Sequence, residues 1–150
     1  METSDITRGL HSRNPYDQYF AIIAVEELMR IDLLPHVIPL FRSRFRDVKI
    51  TAIQAAGLLG LLEPVFYSEA LLPLLRDPSS DIRYETATAL GHLAHLNAFA
   101  ALCRVAEDDP NAHVRKRAAK SARMVCGEIR AGDEEEDLRV VAFSPFRMAS

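Results

Sequence analysis

One phrase recurs along the chain in helical register. It reads Asp47-Val48-Lys49-Ile50-Thr51-Ala52, then Asp81-Ile82-Arg83-Tyr84-Glu85-Thr86, then His113-Val114-Arg115-Lys116-Arg117-Ala118. Its branched apolar residue moves 34 positions from Val48 to Ile82, and 32 more to Val114. A period in that range belongs to helical hairpins that each bury one face against the next, not to a closed globule. The expected fold is all-α: a short right-handed α-solenoid of stacked antiparallel helix pairs.

The apolar residues of each copy fall at steps of three and four. Val48, Ala52, Ala55 and Ala56 form one set, Ile82, Thr86, Ala89 and Leu90 the second, and Val114, Ala118, Ser121 and Ala122 the third. Such spacing marks one buried stripe per helix, and small residues in its middle let a neighbouring hairpin approach closely. Composition agrees: 49% of residues are apolar, only 7% are aromatic, and Trp is absent.

The spacing predicts helices over 16–30, 33–44, 48–61, 69–76, 82–93, 97–107 and 114–125. Pro39 and Pro73 lie inside two outer helices, where a proline loses a hydrogen bond and bends the helix. Asp77-Pro78-Ser79-Ser80 and Asp108-Asp109-Pro110-Asn111 are turn and cap signals. Clear repeats are expected at about 33–62, 68–95 and 97–127, with a degenerate one at 4–30, in a domain spanning 1–130. Residues 131–150 read as a separate tail, first acidic (Asp133, Glu134, Glu135, Glu136, Asp137) and then apolar. Such a block of like charge resists compact packing.

Asp47 and Asp81 stand where they can accept bonds from free helix-terminal amides. His113 cannot do so as well, so Asn111 or Asp109 is the expected cap of the third copy. The next-but-one position is basic in all three copies: Lys49, Arg83 and Arg115. Two readings stand. These residues join successive repeats as a ladder, with Asp47–Arg83 and Asp81–Arg115 as the expected pairs, or they form a strip that binds a partner.

The stretch Leu74-Leu75-Arg76-Asp77-Pro78-Ser79-Ser80-Asp81-Ile82-Arg83, with Ala87-Thr88-Ala89-Leu90-Gly91-His92-Leu93, resembles a HEAT repeat. It is similar to the short subclass also found in phycobilisome lyases and many bacterial proteins. The resemblance implies a protein-binding scaffold. It also admits a lyase-like or enzyme-accessory role, or a nucleic-acid-binding one.

No residue pattern demands catalysis. Gly57-Leu58-Leu59-Gly60 is apolar and lies in a helix, unlike a phosphate loop. His92 and His95 share a face only if their helix continues, and a metal needs more ligands than these. Cys103 and Cys126 lack an adjacent base and read as reduced thiols. No catalytic residue, metal or cofactor is expected. The formal charge of -3 argues against general nucleic-acid affinity. Local basic clusters nevertheless exist: Arg42, Arg44 and Arg46 beside Lys49, and Lys116, Lys120 and Arg123 beside Arg115. They could form one band, which reads first as an ordinary solvated face, then as a contact for an acidic protein partner, with nucleic acid the weaker alternative. The acidic run 133–137 could fold back on that band. A homodimer through a terminal repeat or the tail is a further expectation. No signal sequence or membrane span is read, so a cytoplasmic protein is expected.

Overall fold

The structure, a computed structural model, describes residues 1–128. The expected tail, with its acidic run and the apolar residues after it, lies outside the described residues. Seven α-helices carry the described fold: α1 (Thr3–Leu10), α2 (Pro15–Glu27), α3 (Arg46–Leu59), α4 (Pro64–Leu71), α5 (Ser80–Leu93), α6 (Phe99–Asp108) and α7 (Ala112–Val125). Among the described residues there is no strand.

The helices pair in sequence. α1 lies beside α2 and α6 beside α7, while α4 with its 3-10 extension covers α5. The outer partner of α3 is not an α-helix. The expected helix over 33–44 is replaced by two 3-10 segments, Ile31–His36 and Ile38–Arg42. Pro35 and Pro39 explain the change. Each removes an amide donor and crowds the carbonyl four residues back, which the tighter turn avoids. Pro73 acts in the same way, and α4 passes into a 3-10 segment at Leu72–Arg76. Pro64 does not simply end the preceding helix. It occupies the first turn of α4, where a missing amide costs nothing, so this outer helix begins five residues before the expected Glu69.

The inner helices α2, α3, α5 and α7 stack in chain order. α3 and α5 run parallel: Arg46 meets Asp81 and Gln54 meets Glu85, and Gly57 faces Ala89. α5 and α7 repeat the arrangement, with Tyr84 against Arg117 and Gly91 against Ser121. All twelve residues of the three expected stripes are buried. Thr86, the polar member of the second, satisfies its hydroxyl by donating to the Ile82 carbonyl at 2.7 Å. A single apolar cluster runs from Ile6 and Leu10 to Ala122 and Val125.

The seam between inner helices is set by backbone approach. A Cβ on Gly57 would lie 2.7 Å from Ala89 Cβ and 2.8 Å from Ala89 Cα. Since Cα cannot swing aside, α3 and α5 would have to separate. Gly57→Ala therefore sets overpacking, about 1–3 kcal/mol, against a gain in helix propensity of about 1 kcal/mol. The expected result is a lower urea midpoint than wild type, and an unchanged or higher midpoint would show that the seam can yield.

Candidate functional site

Each turn from an outer segment into an inner helix is built alike. Ser43 Oγ accepts from the Phe45 amide at 3.1 Å, Asp77 Oδ1 from Ser79 and Asp109 Oδ1 from Asn111, both at 2.9 Å. In the two aspartate turns the carboxylate also takes the base of the preceding repeat. Lys49 Nζ pairs with Asp77 Oδ2. Arg83 pairs with Asp109 through two bonds, Nε to Oδ2 at 2.8 Å and Nη2 to Oδ1 at 3.2 Å. Its third nitrogen, Nη1, donates to the carbonyls of Asp77 at 2.9 Å and Pro78 at 3.1 Å. One guanidinium thus ties two successive turns together.

The expected partners were different. Arg83 holds Asp109, not Asp47, and Asp81 pairs with Arg46, not Arg115. The long side chains of Lys49 and Arg83 reach the turn that leads into the next inner helix. The acid there lies four residues before the Asp81 or His113 position, so the recurrent phrase does not include it. Its sequence signal is the Asp-Pro pair, Asp77-Pro78 and Asp109-Pro110, with Ser43 in the corresponding place of the earlier copy.

Capping also departs from expectation. Phe45 and Ser79 occupy the N-cap positions of α3 and α5, without a side-chain bond. Asp47 and Asp81 lie in the first turns of these helices, where their charge suits the dipole. Asn111 is the cap of α7, accepting from His113 at 2.9 Å and Val114 at 3.2 Å.

The basic residues fall into two groups with α5 between them. Arg42, Arg44 and Arg46 are exposed around the turn into α3. Arg44 lies over the Phe45 ring, and Arg46 pairs with Asp81 and Asp47. On α7, Lys116 is exposed, Lys120 and Arg123 are half-buried, and Arg123 pairs with Glu128. Arg117 stacks on Tyr84 and donates to its hydroxyl at 3.0 Å. The expected single band is therefore interrupted by the acidic side chains Asp81 and Glu85 of α5.

Exposed apolar side chains cluster at the turns that follow the inner helices. Leu28 and Met29 follow α2, Leu61, Leu62, Val65 and Phe66 surround the turn after α3, and Leu96 follows α5; all are exposed. These are the turns from inner to outer segments, at the opposite ends of the helices from the charged ladder. Leucines placed in turns, off the helical stripe, are the signal that could have revealed them.

The sulfur and imidazole groups offer little chemistry. Burial pushes the Cys103 thiol up, with the Cys126 and Glu107 charges adding to it, which disfavours the nucleophilic thiolate. α5 stops at Leu93 because Ala94 turns left-handed, with φ of +51°. His92 and His95 therefore do not share a helix. Among the described residues, no group of three His, Cys, Asp or Glu residues is placed to hold a metal. Nor is any helix among them long and apolar enough to cross a membrane.

This geometry defines an all-α stack of helical hairpins. A family model of HEAT repeats matches residues 68–141, from α4 through α7 and past the described residues. The match covers just under half of the chain, and its described part, residues 68–128, is the stretch of helices from α4 to α7. No curated protein gives a significant match to the chain.

Ion-pair burial separates the contacts energetically. The side chains of Arg83 and Asp109 are 13% and 5% exposed, whereas those of Arg46 and Asp81 are 58% and 56% exposed. Removing one partner of a buried pair strands the other charge, while exposed pairs contribute little. Arg83→Gln is expected to cost about 3–5 kcal/mol in urea unfolding, and Arg46→Gln to leave the midpoint nearly unchanged. Equal losses would contradict this ranking.

Acid should loosen the same ladder. Burial pushes the Asp77 and Asp109 carboxyls up, but their ion pairs with Lys49 and Arg83 and the turn amides outweigh it, holding both below the usual range. A depressed folded pKa gives stability that is present above the unfolded value, about 4. That stability is lost as pH falls through the folded value. The urea midpoint should fall below about pH 4, and less steeply in Asp77→Asn/Asp109→Asn, which starts lower at neutral pH. Parallel acid profiles would remove these two groups as the cause.

Proposed function

We propose that the chain is a non-enzymatic protein-interaction module that holds a partner along the solvent face of its inner helices. One contrast carries this reading. Positions that build the stack repeat from copy to copy: Val48, Ile82 and Val114; Ala52, Thr86 and Ala118. Positions on the less buried flank of the same helices diverge: half-buried Ile50 and Tyr84 with exposed Lys116, and exposed Gln54 with half-buried Thr88 and Lys120. The first set is fully buried in the stack, whereas the second is in part accessible. The second supplies a surface that runs from apolar and neutral on α3 to basic on α7, and it suits a protein partner that is acidic where it meets α7.

The HEAT-repeat match supports the same reading, because repeats of this kind generally mediate protein–protein interaction. An accessory role beside an enzyme, as the likeness to phycobilisome-lyase repeats would imply, is the same binding activity with an enzyme as the partner. Arg42, Arg44 and Arg46 form a second, smaller contact area at the turn into α3. Nucleic acid is a weaker fit, since Asp81 and Glu85 break the positive surface.

The test is capture from native extract on full-length protein, with nuclease treatment, beside two full-length variants. Lys116→Glu/Lys120→Glu reverses the α7 surface, and Leu58→Asp alters an exposed position on α3. The expected outcome is a nuclease-resistant protein partner that both variants lose while they remain folded at the temperature of capture. Capture abolished by nuclease, or an identical set of proteins on all three baits, would overturn the reading.

A further inference from the structure

We propose that Arg115 is a docking point for a carboxylate of the partner, and that the segment it fits is an acidic turn led by an aspartate. The proposal rests on the interaction-module reading and names the chemistry at one end of that surface. The chain contains three equivalent bases, Lys49, Arg83 and Arg115, each at the same place in its inner helix. Lys49 and Arg83 hold the aspartate of the next turn, Asp77 and Asp109. No described residue supplies that carboxylate to Arg115.

The site at Arg115 is otherwise assembled. Its Nη1 donates to the Asp109 carbonyl at 2.7 Å, as Arg83 Nη1 donates to the Asp77 carbonyl at 2.9 Å. Asn111 fixes the start of α7 beneath it. Arg83 uses its remaining edge, Nε and Nη2, to grip Asp109. The same edge of Arg115 makes no hydrogen bond to a described residue. A guanidinium edge is a planar fork that matches a carboxylate with two parallel bonds, and its orientation is set before any ligand arrives.

Charge favours an acidic visitor. α7 carries Arg115, Lys116, Arg117, Lys120 and Arg123 and no acidic residue from Ala112 to Val125. The occupied rungs define the ligand more narrowly than charge alone. In Asp77 and Asp109 one carboxylate oxygen also accepts the amide two residues on. The aspartate is therefore presented rigidly by its own turn, and a phosphate has no counterpart to that feature.

The probe follows from the chain itself: a capped synthetic peptide with the sequence of residues 107–114, which contains the Asp109 turn, and a control carrying Asp109→Asn. Full-length protein is titrated while the arginine side-chain N–H resonances are followed. The expected result is a saturable shift at Arg115, with the control peptide binding at least about tenfold more weakly, the scale of one charge-assisted hydrogen bond. Arg115→Gln should weaken the aspartate peptide similarly while the variant stays folded at the titration temperature, and Arg115→Lys, which keeps the charge and loses the fork, should fall between. Equal affinity for both peptides, no response at Arg115, or equal displacement by inorganic phosphate would overturn the proposal.

A full-length variant with Asp133–Asp137 changed to the amides tests the chain's own acidic run. Peptide binding seen only in that variant would assign the site to the run and overturn a partner ligand. Loss of capture by Lys116→Glu/Lys120→Glu with no effect of Arg115→Gln would reject this site while leaving the module reading intact. Peptide binding at Arg115 without any captured partner would do the reverse.

Discussion

Close approach of parallel inner helices is the constraint on which the stack depends. Gly57 against Ala89 and Gly91 against Ser121 leave no room for a further carbon between backbones. Interhelical distance follows from the size of the side chains at the contact, so these positions fix how near one hairpin lies to the next. The ion pairs depend on that distance in turn. Arg83 reaches the Asp109 turn and still returns a nitrogen to the Asp77 carbonyl, a span that is possible only when the two turns lie side by side.

The two kinds of contact differ in what they contribute. Apolar burial through the cluster from Ile6 to Val125 is non-directional and scales with area. It would tolerate sliding of one hairpin past another. The Arg83 fork and the Asp109 turn do not tolerate it, because each bond is aimed at a particular atom. We therefore regard the seam as the source of most cohesion and the ladder as the device that sets register. Depressed Asp77 and Asp109 carboxyls are the electrostatic trace of that device, since their ionised forms are favoured despite burial.

Helical periodicity made the fold legible because a buried stripe needs only local spacing: Val48, Ile82 and Val114 announce themselves without any knowledge of their neighbours. The cap of α7 was legible in part, as Asn111 or Asp109, and Asn111 fills it. The ladder partners were not legible in this way. Lys49 finds Asp77 across 28 residues of chain and Arg83 finds Asp109 across 26, and those matches depend on how adjacent turns align in space. Pro35 and Pro39 were readable as disturbances of a helix, but their combined effect, replacing it by 3-10 turns, arises from two clashes acting within one short segment. The exposed leucines after α3 were missed for a related reason. Apolar character suggested burial, and only the end of the helix at Leu59 leaves Leu61 and Leu62 outside the core.

Separation of stacking from recognition explains how one helix can carry so unbalanced a charge. α7 keeps Val114, Ala118, Ser121 and Ala122 in the core, so its attachment to α5 and α6 does not require neutral surface residues. Arg117 is accommodated on the Tyr84 ring, where a guanidinium gains cation–π attraction without a counter-ion. Arg115 is held by a backbone carbonyl, which orients it and leaves its charge in place. The helix is thus stably positioned although it holds no acid of its own, and Glu128 just beyond it pairs with Arg123. In the middle of the stack the charge of the equivalent base is met by the next turn. At Arg115 no described residue plays that part, and the physical cost of leaving a charge without a carboxylate is small as long as water reaches it. Withdrawing that water makes a matching carboxylate more favourable than a neutral surface, which is the condition an approaching acidic segment would create.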